Sequence, residues 1–394
     1  MSEIPKSSSS LPQERLVSLD TYRGFIMLVL VSEAFYLSET ARHLAGDRIG
    51  DFVDYQLSHA PWTGCSFWDL IQPSFTFMVG VAMPYSYAKR RAKGDSMAKT
   101  LAHVIKRSLV LIFLGIFLRS IGRSQTYFTL EDVLTQIGLG YAFVYLVLGK
   151  SFRVQMTSLV ALLFGYWLAF ALYPAPGPGF VYTSVGAGEG YEPFTGFFAH
   201  WNKNTNLAHA FDVWFLNLFP RESPFLYNGG GYQTLSFIPS MGTMILGILA
   251  GELVKRPGPH REKFQKLVLS GAACIVLGYV LHLTVCPSVK RIWTPSWTVF
   301  SGGWTLLMLA AFYWVCDMRG YKRWSLPLLV FGMNSIFMYC TGPFRRFLEP
   351  NLKTHFGQDL FSGPMGPTYE SLVVTSILGL IGYWMYQRKV FIRI

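Results

Sequence analysis

The chain has 394 residues, 51% of them hydrophobic and only 14% charged, far fewer charges than the roughly 25% usual for a soluble domain. Apolar runs near the ~20 residues needed to cross about 30 Å of hydrocarbon recur along it. They are continuous rather than alternating, which excludes a β-barrel, and the net charge of +12 needs no nucleic-acid partner because surplus Lys and Arg in a membrane protein collect in cytoplasmic loops.

Residues Met1 to Glu14 are polar and Ser-rich and read as a disordered tail, with no cleavable signal peptide before the first apolar run. From residue 15 to 394 the chain reads as a single transmembrane domain. The expected spans are 19–37, 67–88, 103–121, 133–148, 154–173, 232–254, 267–286, 297–316, 327–347 and 369–386. That is an all-α polytopic bundle of about ten helices. The basic runs Lys89 to Lys93, Lys255 with Arg256, Arg319 with Lys322 and Arg323, and Arg388 with Lys389 fall in alternate connections. Their placement predicts an N-in, C-in topology in a cytoplasmic (inner) membrane.

Two outside connections matter. The first, 38–66, carries His59. The second, 174–231, opens on Pro174-Ala175-Pro176-Gly177-Pro178-Gly179, a helix terminator, and is too long for a passive connector. Its aromatic content favours a lid or substrate cover over a disordered insertion. Asn204 lies within it and Gln233 just beyond it, and both are candidate substrate contacts. No internal repeat is visible, which lowers a transporter reading without removing it.

The stretch Ser58-His59-Ala60-Pro61-Trp62-Thr63-Gly64-Cys65-Ser66-Phe67-Trp68-Asp69 concentrates the chemistry. Polar groups at the mouth of a span are costly unless partnered, so they tend to line a site. His59, whose imidazole titrates near neutrality, is the leading catalytic candidate, as a general base or as an acyl carrier. The plainer alternative is an interfacial histidine bonded to a loop carbonyl. Asp69 stands where a carboxylate caps a helix; capping is the plainer expectation and orienting His59 the functional one. Trp62 is a candidate substrate contact. Glu33, about one turn before the end of the first span, is either a third site carboxylate or an interfacial glutamate reaching water.

Asp20 and Arg23 share a helical face three residues apart. They either form an end-anchoring ion pair or place Arg23 to receive a cofactor phosphate. Gln136, Asn334 and Arg345 interrupt apolar helices. The first two have interhelical hydrogen bonding as the plain reading, although Asn334 is also a candidate substrate contact, and Arg345 could sit at the interface. His200 and His209 read as loop residues. The five cysteines lack metal spacing, so no metal is expected. Whether Cys65 and Cys286 pair is left open.

Read in order, these blocks resemble a known family. Arg15-Leu16-Val17-Ser18-Leu19-Asp20-Thr21-Tyr22-Arg23-Gly24 and His59-Ala60-Pro61-Trp62-Thr63-Gly64, with the helix from Trp68 to Gly80, are similar to motifs of the heparan-α-glucosaminide N-acetyltransferase family and its bacterial relatives. So are Asp132 to Gly138, Leu246 to Gly251, Ser301 to Trp304 and Phe331 to Ile336. The resemblance implies transfer of an acetyl group from cytoplasmic acetyl-CoA to an amino sugar or other glycan on the far side. It makes His59 the catalytic histidine and Arg23, beside Asp20, a contact for the CoA end. The chain departs from the family at Ser32-Glu33-Ala34, where the family has an asparagine, and in a longer 38–58 connection. It also lacks the family's amino-terminal lumenal region and extra first span. Heparan sulfate is therefore not implied. The expected partners are a cell-envelope amino sugar or other glycan and membrane lipids, with a homodimer left open. The competing function is a transporter or flippase of a glycan or lipid precursor that uses His59 and Glu33 as a proton relay.

Overall fold

The computed structural model describes residues 16–392; the expected tail, 1–14, lies outside them. Every regular element among the described residues is helical. In chain order they are α1 (Val17–Val31), α2 (Leu37–Ala45), α3 (Asp47–Leu57), α4 (Ile71–Ala92), α5 (Met97–Ser120), α6 (Val133–Tyr145), α7 (Phe152–Leu172), α8 (Leu207–Leu216), α9 (Phe237–Lys255), α10 (His260–Thr284), α11 (Pro295–Phe312), α12 (Leu326–Met333), α13 (Ser335–Tyr339), α14 (Gly342–Phe356) and α15 (Gly366–Gln387).

Local chemistry sets many of the starts. Ser96, Asp132, Ser151, Asn206 and Thr294 each stand at a helix N-cap and accept a backbone N–H of the first turn, satisfying donors that the helix itself leaves free. At α1 a distant residue serves instead: the Asp317 carboxylate accepts from the Val17 and Ser18 N–H groups at 3.2 and 3.3 Å.

All ten expected apolar segments form helix, with two departures. The first span was expected to reach residue 37, but α1 stops at Val31. Glu33 to Tyr36 then turn with the opposite hand, at φ between 45° and 58°. Left-handed turns cost L-residues about 1–2 kcal/mol each, and nothing in Glu-Ala-Phe-Tyr announces one. The turn is held from outside, by Ser371 donating to Ser32 O at 2.6 Å and Arg345 donating to Val31 O at 2.6 Å. Arg345 is thus buried, not interfacial. The ninth span, expected as one helix, is three: α12, α13 and α14. The first break falls at Asn334 (φ −119°, ψ 40°). The last begins just before Pro343, which cannot donate to a preceding turn.

Among the described residues, five helices are long and apolar enough to cross a membrane, or six if α1 and the segment bent 49° from it are one span. The ten expected crossings are not all matched by that measure. The α6 helix has only 13 residues, and α4 ends in a basic turn. The 38–66 connection, expected to be a loop, contains the short helices α2 and α3.

The core lies between α1, α4, α9 and α11 around Tyr22, Phe77, Met244, Ile248 and Leu309. Backbones meet closely where side chains vanish. A Cβ at Gly80 would stand 2.0 Å from Met244 O, and one at Gly247 2.1 Å from Phe77 O, which is the small-residue packing that membrane helices favour. A second cluster, with Trp62, Phe170, Trp201 and Ile292, seats the 174–231 connection on the bundle end. Large apolar side chains face outward around the perimeter, with Phe113 64% and Leu269 69% exposed; only a hydrocarbon surround makes such a belt favourable.

Candidate active site

Three side chains from two distant stretches meet at the α4 end of the bundle. His59 Nδ1 lies 2.8 Å from Asp69 Oδ1. Lys290, in the α10–α11 connection, places Nζ 3.1 Å from Asp69 Oδ1 and 3.1 Å from His59 Nδ1. The Asp69 side chain is 2% exposed and Lys290 7%, while His59 is 38% exposed. The second oxygen of the buried carboxylate accepts from Ala60 N at 3.1 Å and Ser66 N at 3.2 Å, while the Ser66 hydroxyl donates to Ser58 O at 2.5 Å. The Ser66 hydroxyl in turn accepts from Asp69 N at 3.2 Å, so Ser66 and Asp69 form a reciprocal capping pair where the chain enters the turn before α4. The other carboxylate oxygen is left to meet His59.

Hydrogen-bond logic fixes the ring. A carboxylate only accepts, so Nδ1 at 2.8 Å carries the proton and donates. Among the described residues Nε2 has no protein hydrogen-bond partner, and in the neutral ring its lone pair is available to take a proton or an acyl group. Burial pulls the Lys290 ammonium below the ordinary lysine range, and the Asp69 charge opposes that pull.

Around this centre, Arg291 donates to Gly230 O and to Ala60 O at 3.3 Å and lies over the Tyr232 ring. The Tyr232 ring stands edge-on to His59, centroids 6.4 Å apart. Trp62 donates from Nε1 to Trp201 O at 3.1 Å. It ties the His59 loop to the 174–231 connection and packs in that cluster.

Other expected site residues bond to partners within the chain. Glu33 pairs with Arg345 at 3.5 Å and accepts from the Tyr36 hydroxyl, so its partners are structural. Asn334 donates to Val390 O and accepts from Ile392 N, both at 3.0 Å; its amide binds this chain's own backbone. Asn204 and Gln233 bond each other at 3.0 Å. Asn204 also holds Val185 O and Asn228 O, which ties the 174–231 connection to itself. Gln136 bonds Leu130 O and Thr234 O. Cys65 and Cys286 are free thiols. Among the described residues no cluster of three or more His, Cys, Asp or Glu could hold a metal.

Asp20 and Arg23 do pair, at 2.8 Å, and Arg23 also donates to Gly332 O at 2.7 Å. Both line a cavity of about 720 Å³ between α1, α4, α5, α6 and the α12–α13 segment. One end is basic, with Arg23, Lys89, Arg90, Lys93 and Arg107 against Asp20 and Asp95; the interior is apolar, with Met27, Phe75, Val79 and Leu111. From Lys93 to Phe75 it follows α4 for about 27 Å at the α-helical rise. His59, Asp69 and Lys290 are not among its lining residues. Its Phe75 end stops about 9 Å of helix rise short of Asp69.

Lys290 escaped the sequence reading. The only trace it leaves is a Lys-Arg pair in a connection expected outside, where cations should be scarce.

A helical bundle with an apolar perimeter, a long basic-mouthed cavity and a carboxylate-oriented histidine at its end defines an integral membrane protein with a candidate acid–base centre. The chain is similar to heparan-alpha-glucosaminide N-acetyltransferase. It is 25% identical to the Homo sapiens protein across 98% of this chain and 61% of that relative. It is 24% identical to the Mus musculus protein across 96% of this chain and 60% of that one. The chain thus spans about three fifths of the length of these curated relatives. No family model matches it.

Proposed function

We propose that this protein is a membrane acetyltransferase that moves an acetyl group from acetyl-CoA to an amino sugar or other glycan acceptor on the opposite side of a cytoplasmic (inner) membrane. The topology is N-in and C-in, with about ten apolar segments in the bilayer. The observation that carries the reading is the cavity, cationic at one mouth and apolar within, running along α4 towards the turn and loop that carry Asp69 and His59. The relatives' name as N-acetyltransferases supports it.

The cavity's residues fit the donor. Phosphates are held by Arg and Lys in charge-assisted bonds, and Arg23, Lys89, Arg90, Lys93 and Arg107 supply these at the mouth, while a thioester arm suits the apolar interior. Acetyl-CoA brings an activated acyl group whose C–S bond breaks as the acceptor's bond to the carbonyl carbon forms. His59 Nε2 takes the proton of the acceptor N–H or O–H, and Asp69 stabilises the imidazolium so formed. The proton then passes to the departing thiolate. In a two-step variant the same Nε2 first carries the acyl group itself.

The test is acetyl transfer from radiolabelled acetyl-CoA to a panel of amino sugars by purified, reconstituted protein. His59→Ala is expected to lose about 10³-fold in kcat while still binding CoA. A His59→Ala protein with the parent rate overturns the proposal. A labelled adduct that disappears in His59→Ala selects the two-step variant.

A further inference from the structure

Lys290 is the least dispensable and least obvious member of the His59 centre. It arrives from 231 residues away in sequence, on a turn that is tightly held. Trp293 N donates to Lys290 O at 2.9 Å, Val289 N to the Thr294 hydroxyl at 3.0 Å, and the Tyr166 hydroxyl to Ile292 O at 2.9 Å. Burying an ammonium is expensive unless it is paired. Asp69 does not require a cation for its second oxygen, which already accepts from the Ala60 and Ser66 backbone N–H groups. What Lys290 adds is at Oδ1, the atom shared with His59.

The three-way contact has a consequence for the ring. An ammonium has donors only. Were Lys290 to donate to Nδ1, two lone pairs, of Nδ1 and Oδ1, would face each other at 2.8 Å. With Oδ1 accepting from both Nδ1–H and Nζ–H, no such clash arises. The ammonium then stands 3.1 Å from the ring and opposes a second proton there, whereas the carboxylate alone would favour the imidazolium. The other polar groups beside the ring are Tyr232, edge-on from the end of the long connection, and Arg291, which is committed to Gly230 O and Ala60 O.

We propose that Lys290 is a positioning residue that holds His59 as the neutral Nδ1–H tautomer beside an ionised Asp69, so that Nε2 stays free to accept a proton or an acyl group. The inference rests on the reading of His59 as the reacting group.

The experiment uses the full chain in nanodiscs with two readouts across pH 5 to 9: acetyl transfer, and carbethoxylation of His59 by diethyl pyrocarbonate followed by peptide mass spectrometry. The second reports a free Nε2 without needing turnover. Lys290→Gln is expected to move the acid limb of both profiles up by about one pH unit, a roughly tenfold loss at the acid end, with the KM for acetyl-CoA unchanged. Lys290→Arg, which keeps the charge, is expected to keep the limb. If Lys290→Gln does not fold, Lys290→Met, which keeps the length of the stem without the charge, asks the same question and should raise the limb by a similar amount. A limb unmoved by loss of the cation in whichever variant folds overturns the proposal for Lys290. Transfer that survives His59→Ala overturns the underlying reading instead, so the two failures are distinguishable.

Discussion

At the scale of single residues, the division of labour at the centre follows from what each group can donate. Asp69 has no hydrogen to give, so it dictates which ring nitrogen of His59 is protonated. Asp69→Asn offers an amide that can present N–H to Nδ1, forcing the proton to Nε2 and removing the base. We expect kcat to fall by about 10²–10⁴-fold with CoA binding intact, measured by steady-state kinetics beside equilibrium binding.

A second buried carboxylate behaves differently. Asp212, on α8, accepts from Thr234 N at 2.9 Å. Burial pushes its carboxyl up to about 7, with the nearby Glu131 adding to the rise and the Thr234 bonds opposing it. A carboxyl that is harder to ionise when folded favours the native state at acid pH, and that stability is lost as pH rises from its ordinary value near 4 through about 7. Asp212→Asn keeps an acceptor for Thr234 N without the charge. It should therefore raise the melting temperature at pH 8, on the order of 3 °C, and do little at pH 4. An equal effect at both values would show that charge is not the cause.

At the scale of elements, the α4–α9 pair carries both the core and the site. Its two backbones approach where Gly80 faces Met244 and Gly247 faces Phe77. A side chain there must part the helices, and overpacking of this kind costs about 1–3 kcal/mol. Gly80→Leu should lower the melting temperature, while Gly94→Ala, at an open position whose φ is +75°, should cost only its local backbone strain. The same helix spaces Phe75 from the His59 centre. Phe75→Trp, which fills the deep end of the cavity, is expected to lower kcat more than it weakens CoA binding. A tenfold loss of CoA affinity with unchanged kcat would place the thioester elsewhere. Elements also show where reading a pattern along the chain stops working. The sequence from Ser32 to Leu37 is helix-compatible at every position, and contacts from α14 and α15, from Arg345, Ser371 and Thr368, hold its reversed hand.

At the scale of the whole molecule, the cavity separates two environments: a cationic mouth suited to phosphates, and a far end where the 174–231 connection closes over the bundle. Charge reversal at the mouth, Arg90→Glu with Arg107→Glu, should raise the KM for acetyl-CoA about tenfold with kcat nearly unchanged. It should also flatten its dependence on salt, since exposed charges act through a screened field. A fall in kcat alone would argue that the mouth does not bind the donor.

The chain by itself determined the helical membrane class and the neighbourhood of His59 and Asp69. Hydrophobic runs and ten-residue spacings are local, and local pattern survives without the fold. It also suggested the Asp20–Arg23 pair, which needs only one helical turn. The third member of the centre was decided by tertiary structure, because Lys290 meets Asp69 across 221 residues and no periodicity encodes such a meeting. The same holds for Glu33 and Asn334, whose polar groups looked available in one dimension. In three, Arg345 and the backbone of 390–392 take them up, since a buried polar group in a packed bundle binds whatever donor or acceptor the fold brings to it.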